Sequence, residues 1–158
     1  MRIFNTIFAQ LFEFFGLKLF SDDFSKFMRG LTDSCTSTAG PTFYLFIGLI
    51  VIVTAVLFFL LHYRLINSPT FNSVGSWWTM AIVLMAVNFS IAFLWPYQTL
   101  KRGKFCSDLT GLSGTYIADL FGFGLSVAVW TLIIYAIITT IPWPFKGHNM
   151  SRTTFWKP

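Results

Sequence analysis

Read as apolar and polar positions, the chain divides into three long apolar blocks and one mixed opening stretch. The first block, FYLFIGLIVIVTAVLFFLLHY, runs from Phe43 to Tyr63 and holds no acid, lysine or arginine. The second, WWTMAIVLMAVNFSIAFLWPY, runs from Trp77 to Tyr97. The third runs from Ile117 to Phe145 and carries one acid, Asp119, near its start. A helix rising about 1.5 Å per residue crosses the roughly 30 Å of bilayer hydrocarbon in about 20 residues. All three blocks reach that length, which predicts spans over residues 43–63, 77–97 and 117–143. The third has length to spare, so it is expected to tilt or to begin in the interface.

The block ends carry the residues that membrane boundaries favour. Tyr44 and Tyr63 flank the first, Trp77, Trp78, Trp95 and Tyr97 the second, and Tyr116 and Trp143 the third. Such rings place an apolar body in lipid and a polar edge among headgroups. Pro96, Pro142 and Pro144 sit where helices are expected to stop. The connections 64–76 and 98–115 are short and rich in turn residues, including GLSG at 111–114. Residues 146–158 form a polar tail.

The opening stretch, MRIFNTIFAQLFEFFGLKLFSDDFSKFMRG, has a different period. Ile3, Phe4, Ile7, Phe8, Leu11, Phe12 and Phe15 share one helical face, while Asn5, Thr6, Gln10 and Glu13 share the other. One apolar and one wet face is the pattern of a helix lying in the membrane interface, with Phe4, Phe8, Phe12 and Phe15 as its anchor. A fourth span over 3–20 competes with this reading. Against it, Glu13 at the centre of a lone span would cost about 2–3 kcal/mol. Ser21 followed by Asp22 and Asp23 reads as the N-cap and acidic first turn of a second short helix. That helix should bury Phe24, Phe27, Met28 and Leu31 and end at Gly30. With no small-residue cleavage site, the stretch is expected to stay attached. Residues 1–42 are thus expected to form surface helices with a linker. The second short helix and the wet face would stay available to a partner, and removing 1–30 would weaken assembly but not insertion.

Composition supports a lipid environment for most of the chain. Of 158 residues, 55% are hydrophobic and only 11% charged, against roughly 25% charged in soluble domains. The net charge of +5 fits basic residues beside anionic headgroups, and no basic stripe points to nucleic acid. Seven lysines and arginines fall in the N-terminal region and second connection, and four in the first connection and tail. The positive-inside rule then puts the N-terminus in the cytoplasm and the C-terminus outside, with a bacterial inner membrane the expected location. Cys35 and Cys106 would share the cytoplasmic side as free thiols.

The polar groups inside the blocks are few. Asn88 and Ser90 lie mid-way along the second. Interhelical hydrogen bonding is the plainer account of them and a pore lining the sharper one. Gly122 with Ser126, and Gly124 with Ala128, are small-xxx-small pairs that let backbones approach, whether within this chain or between copies. Asp119 is either an ion or proton site or an anion favoured by a nearby helix N-terminus. His62 ends the first block, where an interfacial role is expected. No catalytic triad, paired carboxylates or metal-ligand spacing is present, so no enzyme activity and no cofactor is expected.

The sequence therefore predicts an all-α polytopic membrane protein with three transmembrane helices and N-terminal amphipathic interfacial helices. The expected role is a non-enzymatic subunit anchoring a larger membrane complex of the secretion, conjugation, motor or defence kind. Its partners would be the bilayer and other membrane subunits or itself. The alternative is a homo-oligomeric, holin-like pore. A carrier is disfavoured by the paucity of intramembrane charge.

Overall fold

The computed structural model describes residues 2–13, 19–29, 43–65, 74–101 and 113–141. Regular structure among them is entirely helical. Helix α1 spans Arg2–Glu13, α2 Asp22–Met28, α3 Phe43–Leu60, α4 Val74–Lys101 and α5 Ser113–Thr140, and α3 runs directly into a π-helical turn at Leu61–Leu65. Three segments are long and apolar enough to cross a membrane: Phe43–Tyr63, Val74–Thr99 and Ile117–Thr140. The chain is thus an all-α membrane protein with two short helices ahead of three spans.

Several boundaries differ from the sequence pattern for identifiable reasons. Pro96 does not stop α4, which continues through it to Lys101. Proline lacks the N–H that would bond the Ala92 carbonyl, but membrane helices tolerate this where neighbouring groups satisfy the freed backbone. The turn around Pro96 is reinforced by the Thr99 hydroxyl, which donates to the Trp95 carbonyl at 3.0 Å. Ser113 and Gly114, read as part of a turn, open α5 instead. The third span ends at Thr140, just before Ile141 and Pro142, because a residue preceding proline is driven out of the helical region. Leu31, Cys35, Cys106, Pro142, Pro144 and the tail lie outside the described residues.

The contacts form two units. The first gathers Met1–Leu49 with Phe89–Val127, and the second Ile50–Asn88 with Ala128–Pro158. The first therefore joins the N-terminal residues to the start of α3, the end of α4 and the start of α5.

The core of the first unit is aromatic. Phe123 of α5 meets Phe12 of α1, Phe20 and Phe24 near and in α2, and Tyr44 of α3, with ring centroids 5.6–6.1 Å apart. Phe27 packs on Phe43 at 5.5 Å, and Phe43 on Trp95 at 6.0 Å. Each such pair contributes about 0.5–1.5 kcal/mol beyond the area it buries. The second unit packs Ala55, Phe59, Tyr63, Trp77, Ala81, Leu84 and Tyr135 together. Trp77 stacks on Tyr135 at 5.3 Å, and its Nε1 donates to Thr139 Oγ1 at 3.3 Å.

Burial corrects part of the aromatic-belt assignment. Trp78, Trp95 and Tyr97 are exposed, as boundary residues should be, but Tyr44, Tyr63 and Trp77 are buried core residues. Ring amphipathicity places a residue near the interface; it does not say whether lipid or protein takes its apolar body.

Candidate functional site

The polar chemistry of the first unit gathers where the N-terminal helices meet the spans. Glu13, the last residue of α1, does not lie on a wet face as its period suggested. The Arg29 guanidinium pairs with it, with Nε 3.1 Å from Oε1. Tyr44 Oη donates to the same carboxylate at 2.8 Å, and the Ser25 hydroxyl donates to it as well. One carboxylate thus ties the end of α1 to α2, to the residue that caps α2, and to the start of α3. Burial alone would raise the Glu13 pKa, but the donors from Arg29, Ser25 and Tyr44 outweigh it and hold the carboxyl below the ordinary glutamate range. In return, the Glu13 hydrogen bond holds Arg29 above its usual value, against its own partial burial.

A second clasp joins α2 to α5. Ser21 is the N-cap of α2, and its hydroxyl accepts from the Phe24 amide at 3.3 Å. Its own amide and hydroxyl donate to the two carboxylate oxygens of Asp119, at 2.9 and 2.7 Å. Asp119 does not lie in the first turn of its own helix, since α5 begins at Ser113; the helix N-terminus that its carboxylate meets is that of α2. In a capping box, a Glu or Gln at the third helical position returns to the N-cap amide. Phe24 occupies that position here, and Asp119 supplies the missing acceptor from 98 residues away. The absent acid at position 24 was the signal in the sequence that pointed to such a partner.

The small-residue faces of α5 receive this chain itself. A Cβ at Gly122 would fall on the backbone of Leu19, and Ser126 Oγ donates to the Phe12 carbonyl at 3.1 Å. Gly124 lies against the ring of Phe89 in α4. Ala128 is buried in the second unit. On α3, the ring of Phe8 fills the space a Gly48 side chain would take.

The four proposed anchor phenylalanines divide. Phe4 is exposed, Phe8 half-buried and Phe12 buried among Phe8, Tyr44 and Phe123, while Phe15 lies outside the described residues. Helix α1 thus has three faces: Ala9, Phe12 and Glu13 toward the protein, Phe4 and Ile7 outward, and Thr6 and Gln10 outward on the polar side. One face of helix α2 packs against this chain. Its Phe24, Ser25, Phe27 and Met28 are buried against this chain.

No known protein family, curated protein or solved structure matches this chain. Its residues must be read from their own geometry.

In the second unit, Asn88 is buried and donates through Nδ2 to Thr54 Oγ1 at 3.0 Å, while Thr54 donates to the Ile50 carbonyl at 2.8 Å. Asn88 therefore bridges α3 and α4, as the plainer reading held. Ser90 lies on the exposed side of α4. His62, in the π-helical turn at the end of the first span, is buried, and neither ring nitrogen finds a hydrogen-bond partner among the described residues. Among the described residues no group of three or more His, Cys, Asp or Glu side chains is arranged to hold a metal.

Proposed function

We propose that the protein is a non-enzymatic structural subunit of a larger membrane assembly, built to hold a fixed arrangement of helices and present their outer surfaces to other membrane subunits. The observation that carries this reading is the use of the polar groups. Asn88 bonds Thr54, Trp77 bonds Thr139, Glu13 gathers Arg29, Ser25 and Tyr44, and Asp119 holds Ser21. Each joins one helix to another. A scaffold needs rigid internal fastening of this kind, whereas a pore or carrier needs polar groups turned toward a shared path. Asn88, the first candidate for a lining, faces Thr54.

The outer surface gives such a subunit area to offer. In the second candidate span only 28% of the most apolar window is buried within the chain. Ile82, Val83, Val87 and Leu94 of that span are exposed, and lipid or another apolar helix suits them equally. On the distribution of lysine and arginine we assign the N-terminus to the cytoplasmic side, and we propose a bacterial inner membrane as the setting.

Native mass spectrometry after mild detergent extraction tests the proposal. Co-purification with other membrane chains at fixed ratio is the expected result. Recovery solely as monomer or as a ring of identical copies would refute it, and ion conductance by the pure protein in a planar bilayer would favour a pore.

A further inference from the structure

Helix α2 has seven residues, and an isolated helix shorter than about 12–15 residues is marginal in water. At its N-terminus Ser21 caps Phe24, and the apolar Phe24 at the third helical position offers the Ser21 amide no acceptor. That acceptor is Asp119 of α5. At its other end the Arg29 amide bonds the Ser25 carbonyl within the helix itself, and the Arg29 side chain pairs with Glu13 of α1. The N-terminal cap of the helix is therefore completed by α5, and its C-terminal residue is tied to α1.

Docking also covers a particular surface. The Leu19 backbone lies on Gly122, and the Phe12 carbonyl takes the Ser126 hydroxyl, so the N-terminal segment occupies the small-residue face of α5 with its own main chain. Phe12, Phe20 and Phe24 close over Phe123 beside it. We propose that residues 19–29 are a two-state strap: α2 folds and docks on α5 as one event, with Asp119 as its latch, and undocking melts α2 and bares the face of α5 at Gly122. A fold with two discrete states transmits in both directions. Whatever displaces Asp119 from Ser21 unfolds α2, and whatever holds α2 keeps the α5 face covered. The inference rests on these contacts alone and stands apart from the proposed scaffold role.

Hydrogen exchange read by mass spectrometry on the full chain in nanodiscs tests it, with tryptic cleavage after Arg29 as the second readout. Asp119→Ala and Ser21→Ala should each speed exchange across the α2 amides together, by roughly two- to thirtyfold, the range of a lost N-cap. The double variant should open no further than the more open single variant. Gly122→Ala, which crowds the Leu19 backbone on α5 but leaves α2 itself untouched, should also speed α2 exchange. Unchanged exchange in both Asp119→Ala and Ser21→Ala would overturn the latch. Faster exchange confined to residues 21–24, with Ser25 to Arg29 and the tryptic site still protected, would show local fraying and overturn the two-state strap. No acceleration in Gly122→Ala would uncouple α2 folding from docking and overturn it as well.

Discussion

Replacing Gly122 with alanine tests the docking of the N-terminal segment through the sign of a stability change. In an ordinary helix interior the substitution is favourable by roughly 0.5–1 kcal/mol, because glycine loses more backbone freedom on folding than alanine does. At Gly122 the new methyl would fall on the Leu19 carbonyl, with the carbonyl carbon only 2.7 Å away and the Leu19 Cβ 3.0 Å away. The obstacle is main chain, which cannot turn aside as a side chain can. Forcing a methyl group into a filled space costs about 1–3 kcal/mol. Against global unfolding the balance is a net loss of up to about 2.5 kcal/mol; because α5 stays helical when the segment undocks, the docked to undocked ratio bears the clash alone and should fall roughly five- to 150-fold. Gly124→Ala is the matched control. It meets the Phe89 ring edge at 2.8 and 2.9 Å, and that ring belongs to a half-buried side chain with room to tilt, so its change should fall within about 0.5 kcal/mol of zero. Reversible unfolding in mixed micelles, followed by circular dichroism, gives the stabilities, and the rate of tryptic cleavage after Arg29 gives the docking. Gly122→Ala at least as stable as the parent, with Arg29 no more accessible, would refute the placement of Leu19 on α5.

Further outcomes follow from the other contacts. Asn88→Ala should lose about 0.6 kcal/mol, and no more than about 1.7 kcal/mol, the range for interhelical hydrogen bonds in membranes; since the Thr54 hydroxyl keeps its Ile50 acceptor, Thr54→Ala in the Asn88→Ala background should add little, as a double-mutant cycle would show. Trp77→Phe should cost less than Trp77→Ala, for which about 3–5 kcal/mol is expected from its full burial, with both read by unfolding in micelles. Glu13 gives a pH dependence of known sign. Its carboxyl is held below the ordinary glutamate value in the folded chain, so its stabilisation is complete above that value and is lost as pH falls through the lower folded one. Tryptic peptides quantified after acid pulses should show Arg29 released only at acid pH in the parent, and a flat profile in Glu13→Gln.

The three spans and the Ser21 cap were legible because each rests on local rules: length and apolarity for the first, side-chain reach to nearby amides for the second. The destination of the N-terminal helices was not legible. The amphipathic period of α1 correctly separates apolar from polar positions, but burial inside the protein is set by its edge, Ala9, Phe12 and Glu13, which lies between the two faces. A period reports a helix's average preference, whereas docking answers to the shape and charge of one surface. Glu13 looked like a water-facing residue because its partners, Arg29, Ser25 and Tyr44, come from other elements. The pair Gly122 and Ser126 likewise announced a close approach without saying what approaches. Pro96 misled for a related reason: its stop signal is calibrated on helices in water, and α4 carries it near a membrane boundary within a packed unit.

The central claim is that the N-terminal helices are part of the membrane fold, seated on the spans rather than lying free beside them. Its most direct test is a disulfide between α1 and α3. In a chain with Cys35 and Cys106 changed to serine, Phe8→Cys and Gly48→Cys place two thiols where the Phe8 ring now fills the space beside Gly48. Disulfides need Cβ atoms roughly 3.5–4.5 Å apart, so only a seated α1 can form one efficiently. Mild oxidation in native membranes, followed by alkylation and mass spectrometry, should show an intramolecular bond within a monomeric chain and no alkylated thiols. Full alkylation of both cysteines, with α1 still helical, would contradict the account.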